Sequence, residues 1–249
     1  MLDRKCQLLA SLHVPGSPLV LPNAWDVASA KAVVAAGFPV VATTSAGVAA
    51  SLGYDDDEGA PREEMLAAAR RIAASVDVPV TVDAEAGYGM SLRELVEALA
   101  GLGAAGCNLE DTDHATGGLR DPGRHAEWVS AVRGAADAVG YSLVINARVD
   151  VFLASRDTRP QLRILEDAVG RARSYLSAGA NCVFPIFLSE RDAIAAFVEA
   201  VDGPVNILAV PEAPTLAALS ELGVARVSYG SLLQARVMER LDELLRELG

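Results

Sequence analysis

The sequence predicts an α/β fold, a (β/α)8 barrel of eight parallel strands forming one domain over residues 1–249. Three observations predict it. Short β-branched runs alternate with longer alanine- and leucine-rich runs, the pattern of a parallel sheet with right-handed helical crossovers. The alternation occurs eight times with short connections, and 249 residues suit a closed barrel of eight such units. The turn after the first strand, Pro22-Asn23-Ala24-Trp25-Asp26, is not the glycine-rich turn of an open dinucleotide-binding sheet.

Each unit carries its own punctuation. Strand one is Leu19–Leu21; Asp26 caps the helix Val27–Ala36 and Gly37 ends it. Strand two, Pro39–Thr43, opens into Thr44-Ser45-Ala46-Gly47 and a longer excursion to Asp55–Gly59 before Pro61 starts helix two, which runs to Ser75. Strand three, Val78–Val82, leads into Asp83-Ala84-Glu85-Ala86-Gly87-Tyr88-Gly89. Ser91 with Glu94 then forms a capping box for helix three, closed by Gly103. Strand four is Gly106–Glu110, followed by the polar loop Asp111–Gly123 and helix four, Arg124–Val139. Strand five, Leu143–Asn146, ends in Ala147-Arg148-Val149-Asp150; helix five spans Gln161–Ala178. Strand six is Cys182–Phe184, with Ser189 capping helix six. Strand seven is Val205–Leu208, with helix seven over Thr215–Leu222. Strand eight is Ala225–Ser228, with helix eight over Ser231–Leu248.

Composition narrows the function classes. Residues are 51% hydrophobic, enough for a large core, and the net charge of −12 repels nucleic acid and anionic membranes. No apolar run is long enough to span a bilayer. Met1–Leu12 mixes charges with short apolar runs, so no signal peptide is expected. Three scattered cysteines point to a reducing, cytoplasmic setting without disulfides. Lysine occurs only at positions 5 and 31, neither at a barrel mouth, which argues against Schiff-base or pyridoxal chemistry. Three isolated histidines offer no zinc cluster.

In a barrel the strand C-termini share one face, and that face carries the chemistry. Collected there are Thr44, Ser45 and Asp56 after strand two, Asp83 and Glu85 after strand three, Glu110 and Asp111 after strand four, Asn146, Arg148 and Asp150 after strand five, and Asn206 after strand seven. Carboxylates thus converge opposite one arginine. Oxygen ligands without histidine select Mg²⁺, or Mn²⁺. Such a cation beside Arg148 suits a substrate with a carboxylate next to a carbonyl or enol oxygen, and the peptide N–H groups of Ser45, Ala46 and Gly47 are placed to cradle the carboxylate. Other residues keep ordinary readings. His114 reads as a solvent-exposed loop residue rather than a proton donor. Asn206 either contacts substrate or closes a strand end. Cys107 and Cys182 pack, and Asp150 orients Arg148.

At these residues the chain resembles the isocitrate lyase / phosphoenolpyruvate mutase superfamily. Asp83–Gly89 resembles its D-A-[DE]-x-G-Y-G signature, Leu109-Glu110-Asp111 its next metal-shell motif, and Ala147–Asp150 its arginine motif. Thr44–Gly47 followed by Ser51-Leu52-Gly53-Tyr54 resembles its substrate-carboxylate loop. The resemblance implies a Mg²⁺-dependent enzyme that makes or breaks C–C or P–C bonds next to a pyruvyl group. It implies Asp83 as direct metal ligand and substrate neighbour, with Asp56, Glu85 and Glu110 mostly acting through water, and a mobile loop after strand four. It further implies a homo-oligomer, a dimer or tetramer, in which helix eight is often exchanged. The departures are informative. The loop Asp111–Arg120 lacks the cysteine and lysine of the isocitrate lyases and the lysine and asparagine of the phosphonate mutases, and Ala42 replaces an aromatic residue. What remains fits members that cleave or decarboxylate small 2-oxo acids such as oxaloacetate. P–C chemistry on a phosphonate such as phosphonopyruvate is the alternative, and a non-catalytic metabolite-binding barrel a third.

Overall fold

A computed structural model describes residues 1–155 and 160–248 of the protein. Eight parallel strand positions follow in chain order. β1 comprises two segments, Leu19–Leu21 and Asn23–Ala24, broken at Pro22, which has no N–H to donate. The rest are β2 (Val41–Thr43), β3 (Val80–Asp83), β4 (Gly106–Glu110), β5 (Val144–Val149), β6 (Cys182–Pro185), β7 (Asn206–Leu208) and β8 (Arg226–Ser228). The second segment of β1 pairs with β2, and the run continues through β3, β4 and β5 to β6. The first segment pairs with β8, which pairs with β7. A parallel bridge between Val183 and Val205 joins β6 to the entry of β7, so the two sheets form one ring. The expected (β/α)8 barrel is the architecture found.

The helices are α1 (Leu2–Ser11), α2 (Val27–Ala35), α3 (Ser45–Leu52), α4 (Arg62–Ala74), α5 (Leu92–Leu102), α6 (Pro122–Ala138), α7 (Val151–Ala154), α8 (Leu165–Ser177), α9 (Arg191–Ala200), α10 (Leu216–Glu221) and α11 (Leu232–Leu248). The capping boxes at Asp26 and Ser91 form as their sequences dictate, although at Asp26 the reciprocal partner is Ser29. Amphipathic faces bury Leu95, Leu99 and Leu102 from α5, Val129, Val132 and Ala136 from α6, and Ile194 and Phe197 from α9. α1 lies against the N-terminal end of the barrel. A Cβ on Gly106 would fall 2.6 Å from the Val144 carbonyl and 2.8 Å from Leu9, so β4 must start with glycine where α1 packs.

Several local expectations are corrected. α1, α3 and α7 are helices the sequence pattern left unassigned, because short helices pinned by tertiary contacts need little intrinsic propensity. β3 starts at Val80 rather than Val78, since Pro79 cannot donate to a ladder; its carbonyl accepts from Val41 N instead. β5 extends through Val149, beyond the expected Asn146. Residues Gln161–Arg163 form a 3₁₀ turn before α8. Ser189 does not cap α9. No side chain among the described residues caps it; Gln161 instead holds the approach to the helix, its Oε1 accepting from Ser189 N and Glu190 N at 2.9 Å each. No helix among the described residues is long and apolar enough to cross a membrane.

α11 buries none of its residues. Val237, Met238, Leu241, Leu244 and Leu245 form an exposed stripe at helical spacing.

Candidate active site

The C-terminal strand ends enclose a cavity of about 280 Å³. Asn23, Thr44, Ser45, Asp56, Asp57, Asp83, Asn108, Arg148 and Ser228 supply its polar lining; Ala46 also lines it, and Leu153, Phe184, Ile186, Phe187 and Leu208 form an apolar wall. Polar groups come from the ends of strands distant in sequence, as the barrel topology requires.

Asp83 ends β3. Its N–H donates to Thr43 Oγ1 at 2.8 Å, and its Oδ2 accepts from Ser45 N at 3.1 Å. Its Oδ1 is buried and meets no donor among the described residues. The Ser45 hydroxyl bonds to Asp56, whose pKa is raised by burial and by the Asp83 charge. Glu85 is 3% exposed and takes φ 46°, a left-handed conformation costly for a residue with a side chain. Its Oε1 accepts from Glu58 N at 2.6 Å, and Glu58 in turn accepts from Tyr88 N at 2.6 Å. Asp57, Glu58 and Tyr88 also carry positive φ. Two strained loops, after β2 and β3, are thus latched to each other at the cavity rim. Burial pushes the Glu85 carboxyl up to about 7, with Asp83 and Asp56 adding to the rise and the bonds from Tyr88 and Glu58 opposing it.

Arg148 faces this group from β5. Its Nε and Nη2 bond to the two oxygens of Asp150 at 2.7 and 2.8 Å, and Nη2 also meets Glu110 Oε2 at 2.5 Å. Burial alone would depress the Arg148 pKa; the carboxylates of Asp150 and Glu110 outweigh it and hold the guanidinium charged. The clamp has its own support. Thr112 Oγ1 donates to Asp150, and Asp150 N donates to Asp111 Oδ1 at 2.8 Å. Asp111 Oδ2 accepts from Tyr175 Oη at 2.6 Å and Arg171 Nη1 at 3.0 Å. Asp150 therefore orients Arg148, as the sequence suggested.

His114 is corrected. It is not a free loop residue: a short antiparallel ribbon, Thr112–Asp113 against Gly118–Leu119, folds the chain back, and His114 Nε2 lies 2.6 Å from Glu110 Oε1. That bond raises the His114 pKa above its ordinary value. Glu110 sits between the Arg148 guanidinium and the His114 imidazole and does not line the cavity directly. Burial pushes its carboxyl up to about 7 against their pull.

The Asp83 charge raises the cost of ionising Asp56 and Glu85, Asp56 adds to that of Glu85, and no lysine or arginine bonds to any of the three among the described residues. Among the described residues, the only arginine lining the cavity is already shared by two carboxylates. A pocket of this sign repels a carboxylate substrate unless a cation joins it. The orphaned Asp83 Oδ1 and the all-oxygen donor set fit one hard divalent ion held directly by Asp83. Among the described residues no three His, Cys, Asp or Glu side chains close a metal cage by themselves; Asp56 lines the cavity beside Asp83, whereas Glu85 and Glu110 do not line it.

The expected carboxylate loop is the first turn of α3. Thr44 is its N-cap without a side-chain bond, and Ala46 lines the cavity. The Ser45 N–H is taken by Asp83, which leaves the N–H groups of Ala46 and Gly47 as the open donors of that turn. A Cβ on Gly47 would lie 2.6 Å from Thr44 Cγ2. Asn206 opens β7 rather than following it; it is fully buried, lies outside the cavity lining and exchanges hydrogen bonds with Ser228, so neither the strand-end nor the substrate-contacting position expected of it is found. Asn23, Asn108 and the apolar wall were not singled out from sequence. Asn108 was findable: it lies two residues before Glu110 in one strand, hence on the same inward face.

Comparison with known proteins agrees with this geometry. The phosphoenolpyruvate phosphomutase family matches residues 9–248. The chain belongs to that family. An uncharacterized protein of Mycobacterium tuberculosis is 39% identical over 223 residues, covering 89% of this chain and 81% of the relative. The 2-methylisocitrate lyase of Salmonella typhimurium is 30% identical, covering 96% of this chain and 87% of the relative. A candidate phosphonomutase from Burkholderia cenocepacia superposes with a TM-score of 0.93 at 42% identity, with both chains fully covered. Membership in the isocitrate lyase / phosphoenolpyruvate mutase superfamily, the barrel fold and an enzymatic role as lyase or mutase follow.

Proposed function

We propose that the protein is a Mg²⁺-dependent carbon–carbon lyase that cleaves or decarboxylates a small 2-oxo acid resembling oxaloacetate, through a pyruvate enolate. The observation that carries the reading is the pair of carboxylates Asp56 and Asp83, with the buried Glu85 behind them, facing a clamped Arg148 across a cavity of small-molecule size. The cation, when bound, supplies the charge that draws electrons toward the substrate's 2-oxo oxygen. The chain's own groups do the rest. The open N–H groups of Ala46 and Gly47, at the positive end of α3, receive the substrate carboxylate. Asp150 holds Arg148 in one orientation, so its remaining N–H groups meet the developing negative charge without reorganisation. Phe184, Phe187 and Leu208 keep water from the far side. The relative named 2-methylisocitrate lyase supports C–C chemistry.

The test is a panel of 2-oxo acids assayed with Mg²⁺ for pyruvate release. Mg²⁺-dependent turnover of one member supports the reading, and no turnover of any refutes it. A second reading, P–C bond chemistry, is favoured by the candidate phosphonomutase at 42% identity; phosphate released from phosphonopyruvate, with oxo acids untouched, would select it. The apolar stripe on α11 further supports a homo-oligomer built through that helix. Light scattering on the wild type and on a Leu241→Glu variant tests this: a dimer or tetramer that dissociates is expected, and a monomeric wild type refutes it.

A further inference from the structure

The barrel interior below the cavity holds a charge that nothing above uses. Arg226, at the start of β8, is 1% exposed and forms no ion pair among the described residues. Its Nε and Nη1 find no protein acceptor. Burying a guanidinium with so few partners is costly, and such a cost persists where the charge serves something else. Its one bond in the described structure runs from Nη2 to Asn108 Oδ1, at 3.3 Å. Asn108 Oδ1 also accepts from Asn146 Nδ2 at 2.8 Å.

This arrangement fixes the Asn108 amide. A guanidinium only donates hydrogen bonds, so the end of Asn108 facing Arg226 must be its oxygen. The amide nitrogen then points the other way. It donates to no group among the described residues, and Asn108 retains 8% exposure as a lining residue of the cavity. Two N–H donors are therefore held open toward a space whose lining includes the carboxylates of Asp56, Asp57 and Asp83.

We propose that Asn108 is a substrate-contacting residue whose amide N–H groups bind an oxygen of a small 2-oxo acid, and that Arg226 is the positioning residue that aims them. The inference rests on the reading of the cavity as a 2-oxo acid site. Without Arg226, only the Asn146 amide holds this orientation, and because its own Oδ1 has no partner among the described residues the two amides can flip together, in which case an acceptor would confront an anion. Asn108 thus adds a neutral donor beside the carboxylates of Asp56, Asp57 and Asp83.

Oxalate, an unreactive 2-oxo dianion mimic, is the probe, titrated calorimetrically into the Mg²⁺-loaded protein. Asn108→Leu is expected to weaken oxalate binding roughly tenfold or more, the loss of a hydrogen bond to a charged group. Arg226→Met is expected to weaken it in the same direction, Arg226→Lys to recover part of the loss, and the double variant to bind no more weakly than Asn108→Leu alone. Mn²⁺ affinity in the absence of oxalate should stay unchanged throughout, which a general loss of structure would not allow. Nuclear magnetic resonance on the wild type needs no buried substitution. The Asn108 side-chain amide signals, assigned by their disappearance in Asn108→Asp, should shift on adding oxalate beyond the change caused by Mg²⁺ alone. Wild type that binds oxalate with those signals unmoved, or an Asn108→Leu variant with wild-type affinity, overturns this inference and leaves the 2-oxo acid reading intact. Wild type that binds neither oxalate nor pyruvate overturns the reading and the inference together.

Discussion

Replacing Glu85 with glutamine isolates the cost of the acidic trio. The buried carboxyl titrates near 7 in the folded chain, against 4.5 ordinarily. That difference of about 2.5 pH units corresponds to about 3 kcal/mol. Below pH 4.5 the carboxyl is protonated whether the chain is folded or not, and burial carries no charge penalty. Between pH 4.5 and 7 the unfolded chain releases its proton while the folded chain keeps it, so wild-type stability falls as pH rises. Above 7 the full penalty is present. Glutamine has the same shape and no titration. In EDTA, Glu85→Gln is therefore expected to be more stable than wild type by up to about 3 kcal/mol at pH 8, on the order of 6–12 °C in melting temperature for a chain of this size. The two proteins should converge toward pH 4.5. Millimolar Mg²⁺ should close the gap at pH 8 by favouring the ionised carboxylate, and only in wild type. Thermal and urea melts at four pH values, with and without Mg²⁺, measure this. A gap that does not vary with pH, or a variant less stable at pH 8 in EDTA, would refute the reasoning.

Other perturbations follow from the same contacts. Asp150→Asn removes one charge from the Arg148 clamp while keeping its shape; kcat/KM on the substrate found by the oxo acid panel should fall about a hundredfold, as for a small displacement of a catalytic group. Asp111→Ala strips the buried Arg171 guanidinium of its buried carboxylate and should destabilise the fold by about 3–5 kcal/mol in urea melts. Gly47→Ala forces a methyl against Thr44 and should weaken oxalate binding by calorimetry while leaving the melting temperature within a few degrees of wild type, because α3 can shift at its exposed end.

The barrel was legible because its signals are local and repeated. Alternating runs, the Asp26 and Ser91 caps, and Gly103 and Gly179 after their helices each mark one boundary without reference to the rest of the chain. The acidic and arginine motifs were legible for a related reason: barrel topology places every strand end on one face, so position along the strand predicts position in space. What could not be read depended on chain reversal or on contacts across the ring. His114 reaches Glu110 only because Thr112–Leu119 turns back on itself. The chain entering α9 is held by Gln161, 28 residues upstream of Ser189, and the serine beside the helix does not cap it. Asn108 and Arg226 are 118 residues apart and meet only in the closed ring. α3 has a weakly amphipathic, alanine- and glycine-bearing sequence that its packing, rather than its periodicity, makes helical.

The most direct measurement is pyruvate formation by the purified protein on oxaloacetate and a wider 2-oxo acid panel, with Mg²⁺ or EDTA, in wild type and Asp83→Ala. The account predicts turnover of at least one acid above the metal-only background, abolished by EDTA and by Asp83→Ala, with the variant retaining the wild-type circular dichroism spectrum. Undiminished activity in Asp83→Ala, or oxalate binding without turnover of any acid, would contradict it.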